Sequence, residues 1–266
     1  MNICAENTPW DEGTLGFFMA VDGIDKLYGV TARHVLFPRV ENEDFEYTND
    51  SEPRHNVQFL SEAEFWEHLD VIQERIDEED TVIGIQMRRI TRVVDLEDNK
   101  ARAIRETDED ELRKTKRRKE CLTTFLQEIE RQWSSPESRI LGHVKFSPKI
   151  VVSAGNPEQQ FMQDIAVFEV KSSKITLAGF SGNYIDLGTK YSRDVLTKKT
   201  NFNPTNSHRF IWSEDGLLRL WDTIPIDEMR NPMDQDGDPC ITVLKRGRTM
   251  NVTLSKVLGL IAYIRT

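Results

Sequence analysis

The sequence has few cysteines, no long apolar run and no secretory signal at residues 1–6. Cys4, Cys121 and Cys240 are far apart and odd in number, and no C-x-x-C or H-x-x-x-H spacing accompanies them. This pattern excludes a disulfide framework and a cysteine zinc site, and it predicts buried, reduced thiols in an intracellular, cytoplasmic protein. The longest apolar stretch, residues 257–264, is far shorter than the ~20 residues of a membrane span.

The motifs of nucleotide-binding and metal-dependent enzymes are also missing. The chain has no G-x-x-x-x-G-K-[ST] loop, no G-x-G-x-x-G after a strand and no H-E-x-x-H helix. We therefore expect neither a cofactor nor a metal site. The 35 basic and 45 acidic residues give a net charge of −10, which disfavours nucleic acid and anionic membranes as partners.

The residues before position 40 and after position 138 have the pattern of a β protein. Two short β-prone runs between Gly13 and Thr31 flank the turn pair Asp22-Gly23 and predict a β-hairpin. Short β-branched runs at 140–144, 150–153, 165–170 and 175–177 predict the strands of one barrel or sandwich. Further strands are predicted at 241–244 and 252–264.

The residues between these two regions have the pattern of helices. Ser61 and Glu64 form a capping box, Leu60 and Phe65 fit a hydrophobic staple, and apolar residues then recur at helical spacing. A second amphipathic stretch is predicted at about 81–105. A third follows Thr107, with apolar residues up to Trp133 on one face. We expect a helical hairpin or a small bundle.

Residues 113–119 contain six cations in seven positions: Arg113, Lys114, Lys116, Arg117, Arg118 and Lys119. Two interpretations stay open. The segment is either a solvated helix face balanced by the acidic turn before it, or a nuclear-import or anion-binding patch.

His34 and Asp164 are the residues that carry candidate chemistry. His34 follows an apolar strand that ends in Thr31-Ala32-Arg33, a rigid place for an imidazole that acts as a general base. Asp164 opens the predicted strand at 165–170, where a carboxylate can accept a hydrogen bond from an imidazole and fix its tautomer. Taken singly, such a histidine is more often a surface or packing residue, and such an aspartate is more often an ordinary strand-start residue.

The sequence motifs around these two residues resemble those of a known enzyme family. The T-A-R-H segment ending at His34 and the D-I-A-V segment starting at Asp164 resemble, in the right order, motifs of chymotrypsin-like serine peptidases. The polar helical insertion and residues 180–188 and 240–249 look like a group of intracellular trypsin-like proteins of fungi. The resemblance implies two antiparallel β-barrels, His34 as the general base and Asp164 as the residue that orients it.

The sequence departs from this family at the nucleophile. The family has a G-D-S-G segment that supplies the catalytic serine and the oxyanion hole, and these 266 residues contain no such segment. Ser181 lies in a G-F-S-G run and could be proposed as the nucleophile, but it follows Asp164 too closely for the strands of a second barrel to intervene. Without residues 41–137 about 170 residues remain, fewer than the ~200 expected for two barrels. We therefore expect a second barrel that is truncated.

These observations predict a mainly β protein with four parts. Residues 1–40 hold first-barrel strands with His34, residues 41–137 form the helical insertion, residues 138–200 complete the first barrel with Asp164 and a linker, and residues 201–266 begin the second barrel. The expected function is that of a serine endopeptidase relative for peptide or protein substrates, inactive in this truncated form. The alternative is a non-catalytic pseudopeptidase or interaction scaffold that binds a protein partner through its helical insertion.

Overall fold

The computed structural model describes residues 1–38, 40–93, 99–154, 161–200, 212–231, 233, 237, 239–248 and 251–258. Within these ranges the fold is mainly β, with antiparallel sheets and an insertion of two long helices. The fold class predicted from the sequence is confirmed at this level. The largest sheet has eight strands and does not close into a barrel, so a chymotrypsin-like double barrel is not confirmed.

The chain divides into two compact units, which we describe separately. The first unit contains residues 1–2, 13–54 and 142–266, and the second contains residues 3–12 and 55–141. The described strands are β1 (Asn2–Ala5), β2 (Thr8–Thr14), β3 (Phe17–Val21), β4 (Ile24–Thr31), β5 (Phe45–Glu46), β6 (Asn56–Phe59), β7 (Ile140–Ser147), β8 (Val151–Ala154), β9 (Phe161–Gln163), β10 (Ala166–Val170), β11 (Tyr184–Asp186), β12 (Leu217–Arg219), β13 (Cys240–Gly247) and β14 (Asn251–Leu258).

The described helices differ widely in length. Two short 3-10 turns accompany them at Pro136–Arg139 and Leu177–Gly179. None of the described helices is both long and apolar enough to cross a membrane. The α-helices are α1 (Arg33–Leu36), α2 (Glu62–Val93), α3 (Asn99–Trp133), α4 (Arg193–Thr200) and α5 (Ile226–Arg230).

The first unit is built on the antiparallel strand order β5-β7-β10-β4-β3. The predicted hairpin is present as β3 and β4, and Gly23 takes the positive φ of 79° that its turn requires. Gly29 of β4 lies opposite Phe168 of β10, and a Cβ at this glycine would overlap the Phe168 ring. The absence of a side chain at Gly29 therefore allows the ring to lie against β4, where Phe168 is fully buried.

A second apolar cluster in the first unit involves the later strands. β11 pairs with β12 and β13 pairs with β14, each as a two-stranded antiparallel sheet. The buried residues Leu187, Leu196 and Trp212 form the centre of this cluster. Residues of all four strands, among them Leu244 and Leu254, pack against it.

We expect His143 of β7 to make the stability of the first unit depend on pH. Its imidazole is buried beside the ring of Tyr47, with ring centroids 5.0 Å apart, and among the described residues Nε2 has no hydrogen-bond partner. Burial, aided by the charge of Arg54, lowers the pKa of His143 below its usual 6.5. As the pH falls, the His143 imidazole therefore binds a proton in the unfolded chain before it does so in the folded chain. The free energy of unfolding should then fall as pH drops below about 6.5, by at most about 1.4 kcal/mol per pH unit.

The substitution His143→Phe tests this expectation. The phenyl ring needs no hydrogen bond, so the variant should lose less stability than the native chain between pH 7 and pH 5.5, as measured by urea unfolding at both values. His68→Phe, on the exposed surface of α2, is the control. If the free energy of unfolding changes equally with pH in the native and His143→Phe chains, His143 does not cause the pH dependence.

The second unit joins a strand pair, β1 with β6, to the helices α2 and α3. The Ser61 half of the predicted capping box is present at the start of α2, where the Ser61 hydroxyl accepts a hydrogen bond from the Glu64 backbone N–H at 3.1 Å. Leu60 and Phe65, the predicted staple, are both buried in one cluster. At the far end of α3, the fully buried Arg139 donates from Nη1 to the Trp133 and Ser134 carbonyls and so satisfies terminal helix acceptors.

The two long helices pack as an antiparallel coiled coil. The buried and half-buried positions of each helix are spaced alternately by three and four residues, the heptad pattern of such a seam. The ion pairs Glu79–Arg118 and Asp80–Lys119 join the helices midway along the hairpin. The seam residues are Phe65, Leu69, Ile72, Ile76, Glu79, Ile83, Gln86 and Ile90 of α2, and Asp108, Leu112, Thr115, Lys119, Leu122, Leu126, Ile129 and Trp133 of α3.

The basic segment at 113–119 is largely neutralised in the structure. Arg113 and Lys114 pair with Asp110 and Glu111 one turn earlier on α3. Two further cations of the segment pair with the carboxylates of α2, as described above. This is the arrangement expected of a solvated helix face.

Three details predicted from the sequence are wrong. Residues 175–177 do not form a strand, because Thr176 Oγ1 accepts from the Gly179 N–H and closes a 3-10 turn. Residues 81–93 continue α2 instead of starting a separate helix, because the heptad seam runs through Glu79 without interruption. Cys121 is exposed, unlike Cys4 and Cys240. Residues 259–264 of the last predicted strand lie outside the described residues.

Candidate active site

His34 lies just past the end of β4. The strand ends at Thr31, Ala32 keeps an extended backbone with φ −75° and ψ 142°, and α1 then starts at Arg33. His34 is therefore in the first turn of a one-turn helix. Its side chain is 47% exposed, so one edge of the ring is accessible to solvent.

Asp164 lies at the same end of the sheet. β10 starts at Ala166, and the antiparallel register pairs Ala166 with Thr31 of β4. The chain leaving β4 and the chain entering β10 therefore meet at one edge of the sheet, a consequence of antiparallel pairing. This register brings together two residues that are 130 positions apart in the sequence.

The two side chains make a two-point contact. Asp164 Oδ2 lies 2.5 Å from His34 Nδ1, and Asp164 Oδ1 accepts a hydrogen bond of 3.1 Å from the His34 backbone N–H. The Asp164 side chain is only 13% exposed. Since a carboxylate only accepts hydrogen bonds, the neutral imidazole must carry its proton on Nδ1 to form this contact.

The arrangement leaves the second ring nitrogen as a base. With the proton held at Nδ1, the lone pair of Nε2 points away from Asp164, and no described residue hydrogen-bonds to Nε2. An imidazole oriented in this way can remove a proton from a hydroxyl or a water, and the carboxylate stabilises the imidazolium that forms.

Arg33 is a positioning residue that the sequence analysis did not identify. Its side chain is buried, and Nη1 donates to the carbonyl oxygen and the hydroxyl of Ser147 at 2.9 and 2.8 Å. Nη2 donates to the Glu41 carbonyl at 2.9 Å. Ser147 in turn donates its hydroxyl to the carbonyl of Ile165, which follows Asp164. A continuous hydrogen-bond chain thus joins the residue before His34 to the residue after Asp164.

Burial lowers the pKa of the Arg33 guanidinium, and the negative charges of Asp44, Glu41 and Asp164 act against this shift. The three hydrogen bonds and the stacking of Arg33 over the Phe37 ring, at 4.3 Å, compensate for the loss of hydration. The only sequence signal was an arginine between Ala32 and His34. A basic residue next to a strand end is normally solvent-exposed, so no local pattern indicated that Arg33 lies in the interior.

Ser181, the candidate nucleophile, is exposed and lies after the 3-10 turn at Leu177–Gly179. Residues before and after Ser181 in the sequence contact Phe18 of β3. Phe180 packs edge-on against Phe18, with centroids 5.9 Å apart, and the Asn183 side chain forms hydrogen bonds with both the N–H and the carbonyl of Phe18. Among the described residues, no hydrogen bond joins Ser181 to His34 or Asp164, and its role as a nucleophile stays a prediction.

The chain matches no protein-family model, no curated protein and no solved structure. The trypsin-like assignment therefore stays a prediction that depends on the motifs around His34 and Asp164. Among the described residues, no group of three His, Cys, Asp or Glu side chains is placed to hold a metal ion.

Proposed function

We propose that His34 and Asp164 form the acid–base half of a serine peptidase site of the chymotrypsin type. The observation that carries this proposal is the two-point contact, in which both carboxylate oxygens of Asp164 hold His34 through Nδ1 and the backbone N–H. A contact to Nδ1 alone would fix the tautomer. The hydrogen bond from the backbone N–H also fixes the backbone of His34 relative to Asp164.

The proposed reaction is hydrolysis of a peptide bond in a peptide or protein substrate. Nε2 of His34 would take the proton of a serine hydroxyl as its oxygen bonds to the substrate carbonyl carbon, and the imidazolium would then give that proton to the leaving amine. Water would release the acyl group in the second half, with Nε2 taking the water proton and returning it to the serine oxygen. These 266 residues supply no serine in a G-D-S-G segment, so the chain as given is expected to be inactive. Asp164 stays ionised throughout and orients the ring. The buried Arg33 network keeps the His34 turn beside the start of β10 during these transfers.

The strands β11 to β14 support a more detailed proposal for the fold, namely that the chain contains part of a second barrel. β11, β12, β13 and β14 surround their own apolar cluster around Trp212. The pairs β11–β12 and β13–β14 are antiparallel, as the strands of such a barrel would be. We propose that they are second-barrel strands of a chymotrypsin-like fold.

The 266-residue chain should not be labelled by a fluorophosphonate probe, because it has no G-D-S-G serine to attack the phosphorus. Mass spectrometry of the intact chain after incubation measures this directly, with trypsin as the positive control. The variants His34→Ala and Ser181→Ala are measured in parallel. An adduct that disappears in both variants would contradict the expected lack of labelling and would identify Ser181 as the nucleophile with His34 as its base, whereas an adduct that persists in His34→Ala would contradict the proposed role of His34.

A non-catalytic interaction scaffold is the second candidate function. It is favoured by the size of the α2–α3 hairpin and by the large apolar side chains exposed on it, including Trp66, Val71 and Phe125. Large contiguous apolar patches on a protein surface mark interaction sites more often than singly scattered apolar residues do. Loss of partner binding after deletion of residues 62–133 would support this candidate, and unchanged binding would exclude it.

A further inference from the structure

The seam of the α2–α3 hairpin changes in composition near its middle. The ion pairs Glu79–Arg118 and Asp80–Lys119, which we call the ionic layer, fix which residues of the two antiparallel helices lie level with each other. We call residues 62–78 and 120–133 the inner half of the hairpin. Each of its four seam layers pairs two apolar side chains: Phe65–Trp133, Leu69–Ile129, Ile72–Leu126 and Ile76–Leu122.

The outer half of the hairpin, residues 81–93 and 99–117, has a mixed seam. Its described layers each pair one apolar with one polar side chain: Ile83–Thr115, Gln86–Leu112 and Ile90–Asp108. All of these residues except Thr115 are only half-buried, whereas Phe65, Leu69 and Ile76 of the inner half are at most 6% exposed. The Oε1 atom of Gln86 is buried without a hydrogen-bond partner among the described residues, which costs free energy. Apolar burial therefore stabilises the outer half much less than the inner half.

The outer half of α2 begins with residues that favour a helix poorly. Residues 81–85 are Thr-Val-Ile-Gly-Ile, four β-branched residues and a glycine. β-branched side chains lose χ1 freedom in a helix, and glycine loses more backbone entropy than any other residue. Among the described residues, a Cβ at Gly84 would meet only Nη2 of Arg88, at 3.7 Å, so packing does not require a glycine there.

The facing part of α3 has more local support. Three ion pairs join neighbouring turns of this helix: Arg105–Glu109, Arg113–Asp110 and Lys114–Glu111. Such pairs stabilise a helix whether or not it is packed against another one. If the two helices separate in the outer half, we therefore expect α2 to lose its helical structure there before α3 does.

The ionic layer joins the helices where the apolar seam ends. Arg118 binds Glu79 through two hydrogen bonds, from Nε to Oε1 at 3.1 Å and from Nη2 to Oε2 at 3.2 Å. Nη2 also donates to the hydroxyl of the fully buried Thr115 at 3.2 Å. Lys119 Nζ donates to both carboxylate oxygens of Asp80, at 2.7 and 2.6 Å. Since the Glu79 side chain is only 19% exposed, its bidentate pair should be stronger than an ordinary surface ion pair, although salt still weakens it.

We propose that the outer half of α2 opens from α3 as a unit of its own, with a hinge at residues 81–85 and with the ionic layer as the contact that keeps it closed. The inner half stays paired because opening leaves its four apolar layers intact. Opening uncovers Ile83, Ile90 and Leu112, which the closed hairpin keeps half-buried. The hairpin is thus a conformational device whose outer half is released when ionic strength rises. This proposal does not depend on the hydrolytic site or on the scaffold function.

Hydrogen exchange of single amides in the full 266-residue chain, followed by NMR, tests the proposal. The amides of residues 86–93 should be protected at least about 100-fold less than those of residues 66–78. One opening exposes all of residues 86–93, so their protection factors should agree within about threefold. Equal protection along α2 would overturn the proposal, and so would a protection that falls steadily towards Val93, as fraying from the helix end would produce.

Two substitutions of the same residue type show whether the hairpin opens in two steps. Ile83→Val weakens the outer half and should speed exchange about two- to fivefold at residues 86–93 and also at residues 66–78, because the outer half is open whenever the inner half opens. Ile72→Val weakens the inner half and should speed exchange by a similar factor only at residues 66–78. If Ile72→Val sped exchange equally at residues 86–93, the hairpin would open as one unit.

Two neighbouring substitutions that remove the same charge test the ionic layer. Glu79→Gln breaks the bidentate pair with Arg118 and should speed exchange of residues 86–93 about three- to tenfold. Glu78→Gln, the matched control, breaks only the pair with Arg75 within α2 and should change exchange less than about twofold. Raising NaCl from about 0.05 to about 1 M should speed exchange of residues 86–93 in the native chain and have a smaller effect in Glu79→Gln. Equal effects of the two substitutions would show that the ionic layer does not keep the outer half closed.

Gly84→Ala tests the hinge with a substitution that should not impair folding. The added methyl group has room, and alanine favours the closed helix, so exchange of residues 86–93 should slow about three- to fivefold. Asp70→Ala, at an exposed position in the inner half of α2, is the control that also improves helix propensity, and it should leave exchange of residues 86–93 unchanged. Exchange of residues 86–93 that Gly84→Ala leaves unchanged would overturn the hinge at residues 81–85.

Discussion

Replacing Asp164 by asparagine should lower the reactivity of His34 Nε2 at least about tenfold. The carboxylate accepts the Nδ1 proton at 2.5 Å and so leaves the lone pair on Nε2. An asparagine amide can donate to Nδ1 instead, and the imidazole then carries its proton on Nε2, where a base needs a lone pair. The rate at which diethyl pyrocarbonate modifies His34, followed by peptide mass spectrometry, measures this change.

His68 serves as an internal reference in the same experiment, because it is exposed on α2 in the second unit and does not contact Asp164. Its modification rate should be equal in the native and Asp164→Asn chains. Nitrogen-15 spectra of the imidazole should show the proton on Nδ1 in the native chain and on Nε2 in the variant. Equal His34 rates together with an unchanged tautomer would show that Asp164 does not orient the ring.

Replacing Arg33 by methionine should destabilise the first unit by about 2–4 kcal/mol. Methionine fills much of the volume of the arginine stem but leaves the Ser147 and Glu41 carbonyl oxygens without their donors. Both hydrogen bonds are buried or half-buried, where water does not replace the guanidinium easily. Hydrogen exchange of the β4 and β10 amides measures the loss in this unit without interference from the helical hairpin.

Two further variants show whether stability depends on the two hydrogen-bonding ends of the Arg33 guanidinium or only on its charge. Arg33→Lys keeps the charge but cannot reach Ser147 and Glu41 together, so it should recover only part of the stability. Lys26→Met removes an exposed cation that pairs with Glu169 at 2.9 Å on the same sheet, and it should change stability by less than about 1 kcal/mol. A loss for Arg33→Met as small as that for Lys26→Met would contradict a structural role for the buried network.

The local features of the fold were predictable from the sequence because each depends on neighbouring residues. The turn at Asp22-Gly23 needs only a residue that tolerates a positive φ, which Gly23 supplies. The start of α2 needs only Ser61 and Glu64, three positions apart. The strands β1 and β2 were not predicted, because their short runs of mixed residues lack a clear alternation of polar and apolar side chains.

The candidate site could be predicted only in part. Its two principal residues were identified by their places at strand ends and by the motifs that surround them. The sequence did not show that Ser147 and Glu41 bind Arg33, since these residues lie 114 and 8 positions away and carry no motif. A hydrogen bond to a backbone carbonyl is almost independent of residue type, so such partners leave no mark in the sequence.

The sequence by itself determined the β class, the helical insertion, the positions of the hairpin and helix start, and the choice of His34 and Asp164. These depend on periodicity, turn chemistry and capping, which act over a few residues. Only the tertiary structure decided that Thr31 pairs with Ala166 and that Asp164 therefore contacts both Nδ1 and the backbone of His34. It also decided that Arg33 is buried and that α2 continues to Val93. Strand register and burial follow from the packing of segments far apart in the chain, and local sequence patterns carry little information about them.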